Sequence, residues 1–313
     1  MVENAVNGIE HEPTFGNEGL GSRSFIAFTI TQALVAMNDN IFRWLILPIG
    51  KVLIGDANTF LFGSICFFLP FMILVAPAGY FTDRFSKRNV IIACKLSEII
   101  VMLFGVFAIW TGSPTFMFIV LFMMGAQSAM FSPSKYGIMP ELLREEKISA
   151  ANGVVAMTTM AAIIFGGVLG NCLFTWTTLS PDQMDSTGIG PGQHNIWISA
   201  LVLVGVASIG FVASLFIHQT PVANPRRRFP VNPASETVRD LRLLFGHTAL
   251  LMVCLGSAFY WSLGSLAQMN IDQYGTNFLM VTQEYVGPML GVVTLGFGVG
   301  AMIAGFISRG RVE

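Results

Sequence analysis

The sequence predicts an all-α membrane protein with about eight transmembrane helices, and three observations predict it. Of 313 residues, 53% are apolar and only 11% are charged, whereas soluble domains carry about a quarter charged residues. A soluble core could not bury that much apolar side chain. No Asp, Glu, Lys or Arg interrupts 57–82, 99–134, 148–181, 186–225, 243–271 or 285–308, and a membrane helix needs roughly 20 apolar residues. Third, the cations fall on one side when the chain is threaded through a bilayer.

The longer stretches divide at Thr111-Gly112-Ser113-Pro114 and at the polar residues between Ser180 and Asn195, which gives spans at 24–48, 59–81, 90–110, 115–133, 150–176, 196–217, 248–270 and 286–308. Of the 17 Lys and Arg, Arg43 lies inside a span and Lys51 alone falls outside the membrane; the other fifteen fall on the side of the termini. Under the positive-inside rule both termini are cytoplasmic. Trp44, Trp110, Trp176 and Trp197 then sit at outward helix ends, where an amphipathic ring is best accommodated.

The first 22 residues carry Glu3, Glu10, Glu12 and Glu18 and no apolar stretch, so they read as a disordered cytoplasmic tail and not as a cleaved signal. Span 1 places Gln32, Ala36, Asp39 and Arg43 on one helical stripe, with Asn38 and Asn40 flanking the carboxylate. An acid and a base at this spacing either neutralise each other, with Arg43 reaching the outer headgroups, or meet a ligand carrying both signs. Span 2 runs into Gly79-Tyr80-Phe81-Thr82-Asp83-Arg84-Phe85-Ser86-Lys87-Arg88, read as a short loop with a basic cluster. Span 3 holds Lys95 and Glu98. Glu98 is either the partner of Lys95 or a buried carboxylate that titrates or binds a cation. Gln127 in span 4, Asn171 in span 5 and Gln268 in span 7 either line a cavity or bond between helices. Gly166 with Gly170 in span 5, and Gly296 with Gly300 in span 8, have the small-xxx-small spacing that lets membrane helices approach, as plain packing or as a sliding interface.

Enzyme signatures are missing. None of His11, His194, His218 and His247 stands in a His-x4-Asp or zinc pattern, and Cys66, Cys94, Cys172 and Cys254 are scattered one to a span. No metal, cofactor or nucleic-acid partner is expected. Gly296 to Gly300 has no strand before it, so it reads as helix packing and not as a nucleotide loop.

The run from Gly79 to Arg88 resembles the loop between helices 2 and 3 of major facilitator transporters. Three further segments are similar to the lysophospholipid transporter branch of that superfamily, including transporter halves fused to acyltransferases. They are Met37 to Trp44, Lys95 to Ile99, and Met130 to Glu141 with its Pro-x-Lys-Tyr-Gly-x-x-Pro-Glu loop. The resemblance runs from about 24 to 313 and weakens after 176. It implies a twelve-helix fold of two six-helix halves with substrate between them. On this chain it implies a tail at 1–22, a first half at 23–217, a basic cytoplasmic linker at 218–247, and helices 7 and 8 of the second half at 248–313. The run Ala304 to Arg311 sits where the second half would repeat the Gly79 loop, which makes a truncated product or fragment the expectation. Phe85-Ser86 replaces the small pair of many members, and span 5 lacks the antiporter proline, which weakens a drug-antiporter reading.

The function expected is an inner-membrane transporter moving lysophospholipids, among them lysophosphatidylethanolamine, between leaflets by alternating access. Gln32, Asn38, Asp39, Asn40, Arg43 and Gln127 are the candidate substrate residues, with Asp39 meeting a headgroup ammonium and Arg43 the phosphate. Glu98 is the candidate for ion or proton coupling. Gly79, Asp83, Arg84, Lys87 and Arg88 form a cytoplasmic gate. Two alternatives stand beside it: proton-coupled efflux of amphiphilic molecules through Glu98, and a non-transporting module serving an acyltransferase domain or protein.

Overall fold

Helix-forming apolar runs become helices here with very little chain between them. The computed structural model describes residues 16–178, 193–227, 229, 233–282, 285–293, 295, 296 and 300. Its helices are α1 (Arg23–Ile54), α2 (Asp56–Arg84), α3 (Lys87–Thr111), α4 (Pro114–Leu142), α5 (Ile148–Thr177), α6 (Ile196–Leu215), α7 (Pro233–Gly246) and α8 (Thr248–Gln273). Residues 285–293 form a further helical stretch, α9. Seven helices among the described residues, α1 to α6 and α8 with the π turn that extends it, are long and apolar enough to cross a membrane. Most of the eighth expected span lies outside the described residues.

Local chemistry sets the ends. The Ser22 hydroxyl caps α1 by accepting from the Phe25 amide at 3.2 Å, and Ser113 does the same for α4 with Pro114 in its first turn. Both hydroxyls satisfy amides that a helix start leaves without partners. Gly112 ends α3 at φ 65°, a left-handed cap that suits glycine.

Two expected loops are helix instead. The run from Gly79 to Arg88 is interrupted only at Phe85 and Ser86, and the whole segment from Pro133 to Glu141 continues α4. Its last carbonyls are met from outside: the Gly16 amide donates to Pro140 O at 2.9 Å and the Glu18 amide to Leu142 O at 3.1 Å. Helix ends need such partners, and here residues 16–18 supply them. The tail expected to be loose is therefore pinned to α4 from Gly16 onward.

α1 is the central helix and packs against α5, α6, α2 and α4. One core cluster includes Ile41, Phe42, Leu45, Met102 and Met117, and a second includes Phe25, Phe28, Ile91, Phe131 and Ile138. Gly166 and Gly170 let α5 lie against the α1 backbone. A Cβ at Gly166 would stand 2.5 Å from Met37 O, and one at Gly170 would stand 2.6 Å from Ile41 O. Their spacing serves close packing inside one helix set. Gly170→Ala should therefore lower resistance to denaturation by about 1–3 kcal/mol, the usual cost of overpacking. Gly205→Ala, where no atom lies within 4 Å, should be neutral in the same melt; equal losses at both sites would refute the contact.

Trp44 departs from its expected place at a membrane surface. α1 runs ten residues past it, through Pro48, and the indole is 4% exposed, packed with Leu47, Phe60, Val286 and Leu290. Trp110, Trp176 and Trp197 are exposed. α8 buries only Asp272 among its residues.

Candidate functional site

A cavity of about 360 Å³ opens beside the middle of α1. The α1 stripe supplies Ala36, Asp39, Asn40 and Arg43; α2 adds Phe67 and Phe68, and α5 adds Met160 and Ile163. The far wall is α8, with Tyr260, Trp261, Gly264, Ser265 and Gln268. The volume falls in the range of small-ligand sites, and the mix of apolar walls with a few convergent polar groups is the usual one.

Asp39 and Arg43 both face this cavity but do not pair with each other. Asp39 Oδ2 accepts the Ser128 hydroxyl at 2.6 Å. Asp39 Oδ1 is buried with no hydrogen-bond partner among the described residues. Arg43 takes part in none of the ion pairs among those residues; its guanidinium lies 5.9 Å from the centre of the Phe67 ring. A carboxylate with a spare oxygen and an unpaired guanidinium one turn apart form a site of two signs, and each can accept one end of a zwitterion.

The other expected substrate residues split. Asn40 lines the cavity, while Gln32, Asn38 and Gln127 stand behind it. Gln32 joins α1 to α5, donating to Thr158 Oγ1 at 2.8 Å and accepting from the Thr159 hydroxyl at 2.8 Å. Gln127 Nε2 donates to Cys94 O at 3.4 Å. Asn38 Nδ2 donates to Glu98 Oε1 at 3.0 Å, and Lys95 Nζ donates to Glu98 Oε2 at 2.6 Å, with both charged side chains fully buried. Gly210 of α6 makes room for this amine, since a Cβ there would stand 2.5 Å from Lys95 Nζ. Asn171 is buried and bonds Gly167 O within its own helix.

Sequence reasoning missed Ser128, Lys135 and the aromatic walls. Lys135 counted as a loop cation, yet it is half-buried on α4 and its ammonium donates to Thr159 Oγ1 at 3.4 Å. Ser128 and Lys135 are seven residues apart, which is one face of a helix. That spacing was readable once α4 is extended through Pro133. Phe67 and Phe68, with Tyr260 and Trp261, had no signal beyond apolar sequence.

Both ends of the bundle are tied. At the basic end, Asp83 pairs with Arg227 and its carbonyl accepts the Asn224 amide at 2.8 Å; Arg84 donates to Pro225 O and to Arg227 O. Arg227 also reaches Gly79 O at 3.4 Å, Lys87 pairs with Glu141, and Arg88 donates to Ile217 O at 2.6 Å and Leu215 O at 3.1 Å. Four of the five expected gate residues, Gly79, Asp83, Arg84 and Arg88, thus hold the end of α6 and the segment after it, while Lys87 ties α3 to α4. At the opposite end Lys51 of α1 pairs with the fully buried Asp272 of α8. Because this tie joins two helices that otherwise touch little, Lys51→Asp is expected to loosen α8 and to speed thiol labelling of a Gln268→Cys reporter one turn away. Lys51→Asp combined with Asp272→Lys should restore the labelling rate of the reporter alone; failure to do so would remove the tie from the account.

Lipid-length helices around a largely apolar cavity with two charged groups define a multi-pass membrane protein with a site shared between spans 1, 2 and 5 and the seventh. The chain belongs to the Major Facilitator Superfamily, whose family model matches residues 28–312. It is 28% identical over 283 residues to the lysophospholipid transporter LplT of Pectobacterium carotovorum subsp. carotovorum (strain PC1), covering 90% of this chain and 63% of that protein. It is 28% identical over 294 residues to LplT of Enterobacter sp. (strain 638), covering 93% of this chain and 68% of the relative. LplT of Klebsiella pneumoniae (strain 342) is 26% identical over 307 residues, with 93% and 69% covered. The chain spans about two thirds of the length of these curated relatives.

Proposed function

We propose that this protein binds lysophospholipids and moves them between the leaflets of the cell inner membrane by alternating access, with the basic end cytoplasmic. The observation that carries the reading is the pair of unmatched charges in one cavity. Asp39 Oδ1 would accept from a headgroup ammonium, and the Arg43 guanidinium would hold the phosphate. The names of the relatives support the same substrate class. Phe68, Tyr260 and Trp261 are exposed as well as cavity-lining, so a single acyl chain can leave the site along them toward lipid. Both Glu98 oxygens are already hydrogen-bonded, which gives a structural reading to that residue and weakens proton-coupled efflux through it. An acyltransferase partner has no such observation in its favour.

The test is direct binding of fluorescent lysophosphatidylethanolamine to the purified protein, followed by leaflet exchange in vesicles with no acyltransferase present. Saturable binding and exchange are expected; exchange that requires an acyltransferase would favour the module reading. Orientation has its own check. In a cysteine-free background, Asn195→Cys should react with an impermeant thiol reagent from outside the cell and Glu146→Cys should not. The reverse pattern would invert the site.

A further inference from the structure

The strongest feature left unused is α7, the helix between the first six spans and α8. We infer that α7 is an interfacial helix that seats one apolar stripe in the membrane leaflet at the basic end and selects anionic lipid there. Val238, Leu241 and Phe245 recur at spacings of three and four, so they share one face. They are 46%, 46% and 68% exposed, which leaves that face without a protein partner among the described residues. Such a helix is soluble in neither phase alone, and the water–lipid boundary is where both its faces are satisfied.

Position selects the leaflet as occupant. Only His247 separates α7 from α8, whose first residue Thr248 opens a lipid-length helix. The last turn of α7, with Phe245, is therefore held at the membrane surface whatever the rest of the linker does. A soluble protein would have to compete with a lipid surface that is always within reach.

Charge then selects the lipid. The segment 218–247 holds five arginines against Glu236 and Asp240. Arg226 and Arg242 are exposed, and Arg242 is one position from Leu241 in the stripe, where a long cation can lie along apolar surface and reach headgroup phosphates. Clustered arginines beside a membrane span favour anionic headgroups, and the attraction weakens with salt.

The experiment places an environment-sensitive fluorophore on the whole protein, in a cysteine-free background, at Leu241→Cys or Phe245→Cys. Leu243→Cys, exposed and two positions from both Leu241 and Phe245, so on the opposite side of the helix, serves as the control. The protein is placed in nanodiscs of phosphatidylcholine with or without phosphatidylglycerol. Labels at 241 and 245 should be quenched several-fold more by brominated lipid than by iodide, and the label at 243 the reverse. Phosphatidylglycerol should strengthen the lipid quenching, and high salt or Arg242→Gln should reduce it. Iodide access at 241 and 245 equal to that at 243 would overturn the interfacial placement, as would a protein-only seat. Embedding that is the same with and without phosphatidylglycerol would overturn the anionic selectivity.

Discussion

Lys95→Met alone should cost roughly 3–5 kcal/mol of stability, the scale seen when one member of a buried ion pair is removed. Lys95 and Glu98 are fully buried, and among the described residues the ammonium is the only cation bonded to that carboxylate. Without it, Glu98 would be left charged in a low-dielectric interior with Asn38 as its remaining hydrogen-bond partner. Lys95→Met combined with Glu98→Gln removes both charges and keeps an acceptor for Asn38, so most of the loss should be recovered. Denaturation in a graded detergent mixture would measure both variants. A double variant as unstable as the single one would mean that the pair does more than neutralise itself. Gly210→Ala is a milder probe of the same point, since its new methyl would crowd the amine without removing it.

Much of this architecture was legible because a bilayer imposes strict rules on sequence. Uncharged runs of lipid length had to be helices, and seven appear as such. Asp39 and Arg43 stood out because charge is rare inside an apolar helix, and the stripe they form does face a cavity. What could not be read was where prolines are tolerated. Pro133 and Pro140 suggested a loop, but neighbouring helices and the amides of Gly16 and Glu18 satisfy the carbonyls around them. Misplacing that boundary put Lys135 outside the membrane and hid its place on the Ser128 face of α4. Trp44 misled for a related reason. α1 is 32 residues long, about 48 Å at the usual rise, so a tryptophan two thirds along it is interior. Partners across the cavity were beyond reach, because a sequence does not show that Tyr260 and Trp261 stand opposite Asp39. The network around Asp83 was half legible: its cations were plain, but the carbonyls of 215–227 that they grip depend on how the chain leaves α6.

The second large effect concerns the two charges in the cavity, and it separates their roles by headgroup. Arg43→Gln should weaken binding of every lysophospholipid by roughly 10- to 150-fold, since a charge-assisted hydrogen bond to phosphate is worth about 1.5–3 kcal/mol. All such lipids carry that phosphate. Asp39→Asn should weaken lysophosphatidylethanolamine by a similar factor but change lysophosphatidylglycerol little, because the latter has no ammonium to lose. The Ser128 hydroxyl, now bonded to Asp39 at 2.6 Å, can still donate to the side-chain carbonyl that this substitution leaves in place, so the variant should keep its fold. A direct binding titration with both lipids gives the comparison. Equal losses for the two headgroups in Asp39→Asn would mean that the carboxylate holds Arg43 or Lys135 in place and does not touch the ligand. The exchanged variant, Asp39→Arg with Arg43→Asp, sharpens the point: a site that reads a ligand's two ends in order should lose both lipids, whereas normal binding would show that the order of the two charges does not matter.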